Sequence, residues 1–246
     1  MPMASARPLR SAARGRLSDA ITEHLTQRIA TRVLRPGDEL PSEAELAAQF
    51  KVSKPVVREA LGSLASLGIV DIRQGRPTTV QPLSSAPLDH FFGVAIRWSE
   101  NGLSEALELR RALETETAAL AAMRASAPFV DHLGELVEKM RAHLFDLDEW
   151  LEADYAFHMA LVRSTGNSLM QFLTEALSDV MRQSIRLLGS QMDIRDPAAT
   201  LARHEAIYMA VRKHDPSAAR TAMQTHFDAT QSTVSAISRD ESRRGR

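Results

Sequence analysis

The sequence has no cysteine. That excludes a disulfide and any thiolate metal site, and it fits a reducing cytosol. No apolar run approaches the ~18 residues that a membrane helix needs, so no membrane partner is expected. From Leu88 onward no segment reads as a convincing strand, and no internal repeat is visible. The first sixteen residues hold four Arg and no acid, and read as a disordered basic arm.

What is present is ordinary in bulk and uneven in placement. The 246 residues are 44% hydrophobic and 25% charged, which suits one or two soluble globular domains. Residues 1–80 carry 12 Lys+Arg and 8 Asp+Glu, a net of +4. The remainder carries a net of -5. A basic N-terminal part beside an acidic remainder suggests that the first part meets a polyanion.

Leu17–Val33 reads as a helix, with Ile21, Leu25, Ile29 and Val33 as its apolar stripe. Arg35-Pro36-Gly37 stops it. Ser42 with Glu45 three positions later makes a capping box for a short second helix, whose core face is Leu46, Ala47 and Phe50. Ser53 and Pro55 open a third, with Val57, Ala60, Leu61, Leu64 and Leu67 buried and Gly68 as terminator. Ile69–Arg73 and Thr78–Val80 read as two short strands around Gln74-Gly75-Arg76-Pro77. The expected fold class is therefore mainly α. A winged helix-turn-helix of three helices and a two-stranded wing spans 17–81. A linker spans 82–87, and an all-α antiparallel bundle spans 88–237, followed by a flexible tail at 238–246. Bundle helices are expected near 88–100, 103–125, 128–144, 147–165, 167–190, 197–214 and 216–237.

Lys54 and Arg58 are four apart, opposite the Val57/Leu61/Leu64 stripe, so they face outward as a recognition helix requires. Two such residues alone are more often solvated surface charges. The ordered caps, turn and wing weigh against that reading. Residues 35–43, RPGDELPSE, together with Val52–Leu61, Leu67–Val70 and Gln74-Gly75, resemble the signature of GntR-type bacterial regulators. The resemblance implies DNA contacts at Ser53, Lys54, Pro55 and Arg58 and at Gln74 and Gly75. It implies a homodimer on a palindromic stretch of double-stranded DNA. Three positions depart from that pattern: Ala44 and Lys54 stand where Arg is usual, and Lys51 where Gly is common.

Of the eight His, His24, His90, His132, His143 and His214 read as ordinary surface or core residues. Asp154, His158, His204 and His226 differ, because each sits among apolar residues that would line a bundle interior. Buried imidazoles and a carboxylate need partners or a metal. These contexts resemble the all-helical FCD ligand domain of the FadR subgroup of GntR proteins. The resemblance implies that the four hold one divalent ion. Zn is the default expectation, with Ni, Mn and Fe also compatible with imidazole and carboxylate donors.

By the same resemblance, Arg110 would clamp the carboxylate of a small effector such as a sugar acid, a hydroxy acid or a dicarboxylate. Its alternative is a surface pair with Glu114 at i,i+4. Asn167 matches a frequent Gly-Asn at a helix start near the effector, and its alternative is a simple N-cap. No separate group is placed for general acid-base work. The expectation is a cytoplasmic metabolite-responsive regulator, a repressor in its simplest form, and not an enzyme. A metal-dependent enzyme and a direct metal-ion sensor are the alternatives.

Overall fold

In the computed structural model, the structure describes residues 9–188 and 196–244. Residues 1–8 of the expected arm, 189–190 of an expected helix and 245–246 of the expected tail lie outside them. The chain forms two compact units, 1–87 and 88–246.

The first unit contains α1 (Leu9–Ala30), α2 (Glu43–Phe50), α3 (Lys54–Ser66), β1 (Val70–Asp71) and β2 (Thr79–Val80). Its core is made of Ile21 and Leu25 from α1, Leu46 from α2, Val57, Ala60, Leu61 and Leu64 from α3, and Val70 and Val80 from the wing. The capping box forms: Ser42 Oγ accepts from the Glu45 N–H at 3.3 Å, and Glu45 Oε2 accepts from the Ser42 N–H at 2.8 Å. Lys51 ends α2 in the left-handed region, at φ 55°, and its N–H turns back to the Ala47 and Ala48 carbonyls. The wing pairs antiparallel, Val70 with Val80 and Asp71 with Thr79.

Three readings of this unit need correction. α1 starts at Leu9, because the Ala- and Arg-rich stretch before Leu17 continues the helix instead of forming an arm. It ends at Ala30, where Arg32 turns to φ 59°, so Val33 leaves the stripe and is 60% exposed. Leu67 is 53% exposed, because α3 ends at Ser66 before the stripe returns to the core. The two-stranded wing forms as expected, and residues 37–40 hydrogen-bond along its outer edge. The Gly37 N–H donates to Val80 O at 2.9 Å, Val80 N–H to Asp38 O at 2.9 Å and Leu40 N–H to Thr78 O at 2.8 Å. The segment that stops the first helix therefore also covers the outer edge of β2.

The second unit contains α4 (Ala86–Trp98), α5 (Gly102–Arg124), α6 (Ala127–Ala142), α7 (Leu147–Ser164), α8 (Ser168–Leu188), α9 (Pro197–Arg212) and α10 (Pro216–Arg244). α4 takes in Ala86 and Pro87 from the expected linker, since proline is favoured in a first turn. α10 continues through the described part of the expected tail. Aspartates before the breaks act as caps: Asp146 Oδ1 accepts from Glu149 N–H, Asp196 Oδ1 from Ala199 N–H and Asp215 Oδ1 from Ala218 N–H. α5 is the central element and packs against α7, α8, α9 and α10. Its buried face is Ala118, Ala119, Ala121 and Ala122, small side chains that let neighbouring helices approach closely. Leu133, Met140, Phe157, Leu161, Ile207, Val211, Met223 and Phe227 fill the space around it.

Candidate metal centre and nucleic-acid interface

α7, α9 and α10 each carry one of the three histidines of the cluster. The i,i+4 spacing on α7 puts Asp154 and His158 on one face. His158 is 1% exposed, His204 0% and His226 5%. One ring nitrogen from each comes within 4.8 Å of the others. Asp154 Oδ1 lies 2.9 Å from His204 Nε2 and 4.0 Å from His158 Nε2. Aromatic rings wall the cluster. Phe157 and Trp150 meet His204 edge-on with centroids at 5.2 and 5.7 Å, and Phe227 meets His226 at 5.2 Å.

The hydrogen bonds assign the protons. His204 Nδ1 lies 2.9 Å from the Thr200 carbonyl oxygen. A carbonyl only accepts, so Nδ1 carries the hydrogen and Nε2 presents a lone pair. That lone pair faces the Asp154 carboxylate, another acceptor. Two acceptors at 2.9 Å need a second proton or a cation between them. His204 Nε2 and His226 Nδ1 are buried and have no hydrogen bond of regular geometry. Unpaired buried nitrogens of this kind, beside a carboxylate, fit a divalent cation of the borderline class.

The electrostatics point the same way. Burial acts to raise the Asp154 carboxyl, but the close contact with His204 and the charge of the surrounding imidazoles outweigh it and hold Asp154 well below its ordinary value. Burial and the neighbouring His204 and His158 push His226 far down, which keeps its imidazole neutral and available as a donor. His158 goes the other way. Burial would lower it, but Glu114 and Asp154 raise it.

Glu114 is the residue that sequence reasoning missed. The i,i+4 spacing predicts only a surface pairing with Arg110, yet Glu114 is 1% exposed. Its Oε1 accepts from Arg110 Nε at 2.7 Å, and its Oε2 contacts His158 Nδ1. The i,i+4 pair therefore forms, but inside the bundle, with Arg110 itself 8% exposed and its guanidinium 5.3 Å from the Phe227 ring centre. The available signal was its position on an Ala-rich buried helix. Asn167 is exposed, and its Oδ1 accepts from the Leu169 and Met170 N–H groups at 3.1 and 3.2 Å. It is the N-cap of α8, its simpler reading.

In the first unit, Ser53, Lys54, Pro55 and Arg58 are all exposed on α3, and Gln74 and Gly75 are exposed at the wing turn. Ser53 stands at the N-cap position of α3 but makes no side-chain cap bond. Gly75 has φ 75°, a conformation that favours glycine. Arg58 Nε donates to Glu43 Oε2 of α2 at 2.7 Å, while the side chain stays 65% exposed.

A three-helix winged unit with an outward basic helix, joined to an all-helical unit around buried histidines, defines a DNA-binding transcriptional regulator. Residues 17–80 match the gntR family of bacterial regulatory proteins, and residues 105–229 match the FCD domain. The chain belongs to the gntR family. It is 31% identical to the HTH-type transcriptional repressor NanR of Cronobacter sakazakii, over 97% of this chain and 92% of that one. It is also 31% identical to the protein of that name from Escherichia coli strain K12, over 92% of this chain and 86% of the relative. Among solved structures it resembles Streptococcus agalactiae GntR with a TM-score of 0.70 at 27% identity, covering 88% of this chain and 99% of that one. The NanR relatives are named transcriptional repressors, and the chain is a transcriptional regulator. No helix among the described residues is long and apolar enough to cross a membrane.

Proposed function

We propose that the protein is a transcriptional repressor whose hold on a palindromic operator is controlled by a small organic acid bound in its helical unit. The observation that carries this reading is the buried three-histidine cluster with Asp154 beside it. Asp154, His158, His204 and His226 would hold one divalent ion, Zn by default and Ni, Mn or Fe otherwise. Such an ion supplies Lewis-acid anchoring for a carboxylate or α-hydroxy-carboxylate oxygen. Arg110 supports an acid in particular. Its guanidinium lies beside the cluster, bonded to Glu114 through Nε, and guanidinium groups bind carboxylates as a fork. Sugar acids, hydroxy acids and dicarboxylates all fit that donor set. Asn167 is left to its cap.

DNA binding would use Ser53, Lys54, Pro55 and Arg58 in the major groove and Gln74 and Gly75 at the backbone beside it. The Arg58–Glu43 pair is exposed, and exposed pairs contribute about 0–1 kcal/mol. Exchanging Glu43 for phosphate or a guanine edge is therefore easy. A homodimer presenting two such helices would match a two-fold operator. The name repressor, which the relatives carry, supports the sign of control. The acid must bind the DNA-competent and DNA-incompetent states with different affinity, or it shifts nothing.

The test is a thermal-shift screen of lactate, gluconate, glucuronate, malate and citrate on zinc-loaded and metal-free protein, followed by operator binding. A true effector raises the Tm of the zinc-loaded form, by about 2.7 kcal/mol of stability at a hundred times its Kd, and changes operator affinity. If metal alone switches operator affinity with no acid present, the protein is a direct metal sensor and this reading is wrong.

A further inference from the structure

Glu114 is a buried carboxylate that touches both a cation and a histidine of the cluster. Its two oxygens divide the work: Oε1 takes the Arg110 Nε hydrogen, and Oε2 faces His158 Nδ1. A carboxylate only accepts, so this contact keeps the hydrogen of His158 on Nδ1. The Nε2 lone pair then faces the Asp154 side of the ring, where Oδ1 is 4.0 Å away. Without such a partner the ring of His158 could carry its hydrogen on either nitrogen, and it could flip. Arg110 supplies the compensating charge. Its Nε donates to Glu114 Oε1 at 2.7 Å, so the carboxylate is held between a guanidinium and the imidazole.

We propose that Glu114 is a positioning residue for the metal centre, which fixes the tautomer and orientation of His158 so that its Nε2 can coordinate the ion. This rests on the proposed function, since it presupposes that the cluster holds a metal. Carboxylates bonded to the outer nitrogen of a ligating histidine typically account for about 10–100-fold in metal affinity. The competing view is a buried ion pair with Arg110 that only holds α5 in place.

The experiment uses the full chain, zinc competition with a chromophoric chelator, and the visible absorption bands of the Co2+ form. Glu114→Gln is expected to bind zinc about 10–100-fold more weakly and to shift the Co2+ bands. The double variant Arg110→Met/Glu114→Gln leaves no unpaired buried charge, and it decides the matter if the single variant does not fold. It is expected to show the same weakening. Variants that fold and bind zinc as the parent does, with unchanged Co2+ bands, would overturn the proposal and leave the metal reading intact. A parent chain that binds no ion under the same conditions would overturn the metal reading itself, and this inference with it.

Discussion

His204 Nε2 lies 2.9 Å from Asp154 Oδ1 while the Nδ1 hydrogen of the same ring is directed to the Thr200 carbonyl. The neutral ring faces the carboxylate with its lone pair, and these two acceptors need a second proton or a cation between them. His204→Ala should lose the ion, whereas wild type should carry one equivalent per chain. The loss should exceed the about 10–100-fold typical of changes at outer partners. Elemental analysis after gel filtration in the presence of a weak chelator checks it, and full occupancy of the variant would remove His204 from the donor set.

Arg58 and Glu43 give a paired prediction. Arg58→Ala should weaken operator binding by about 1–3 kcal/mol if the side chain reads a base, and reduce the salt dependence by about one counterion if it holds phosphate. Metal content should not change in either case. Glu43→Ala should leave stability within about 1 kcal/mol, because the pair is exposed. It should tighten operator binding slightly, by removing a carboxylate that competes for Arg58. Fluorescence anisotropy over a salt series measures both. Unaltered operator binding by Arg58→Ala would take α3 out of the interface.

Lys51 holds a left-handed conformation at φ 55° and ψ 43°, where a residue with a Cβ pays about 1–2 kcal/mol. Glycine avoids that cost but loses about 0.5–1 kcal/mol to its freer unfolded chain. Lys51→Gly should therefore stabilise the DNA-binding unit by about 0.5–1 kcal/mol. Tryptophan fluorescence will not report this, because Trp98 and Trp150 both lie in the second unit. Amide exchange of α3 peptides will, and unchanged or faster exchange would show that Lys51 carries no strain.

Much of this fold is legible because local chemistry decided it. Ser42 with Glu45, and the Asp-Pro pairs at 196–197 and 215–216, mark helix starts that formed where expected. Val33 and Leu67 leave the core because apolar periodicity runs on past the ends of the helices, at the Arg32 turn and after Ser66. The pairing of Gly37–Leu40 with β2 is set by tertiary contact, and a turn-rich segment without alternation carries no sign of it. At the site, the Asp154/His158 spacing was readable on one helix. The approach of His204 and His226 depends on how α9 and α10 pack, and only the family resemblance supplied it. Glu114 was missed because a charged i,i+4 pair is ordinarily a surface feature. Here it faces inward, since α5 is buried along most of its length.

The last prediction uses the two tryptophans against each other. Trp150 is 4% exposed and meets His204 edge-on at 5.7 Å, whereas Trp98 is 89% exposed on α4. A paramagnetic divalent ion in the cluster would sit close enough to Trp150 to quench it, with little access to Trp98. In a Trp98→Phe background, titration with Co2+ or Ni2+ should quench the remaining emission and saturate at one equivalent per chain. Both ions suit imidazole and carboxylate donors. Zn2+ added first should block the quenching, because it fills the same site without a partly filled d shell. His226→Ala in that background should abolish saturable quenching, since it removes the donor contributed by α10. Quenching that rises linearly and ignores zinc would indicate collision with surface-bound ions, and the histidine cluster would then have to be explained by internal protons alone.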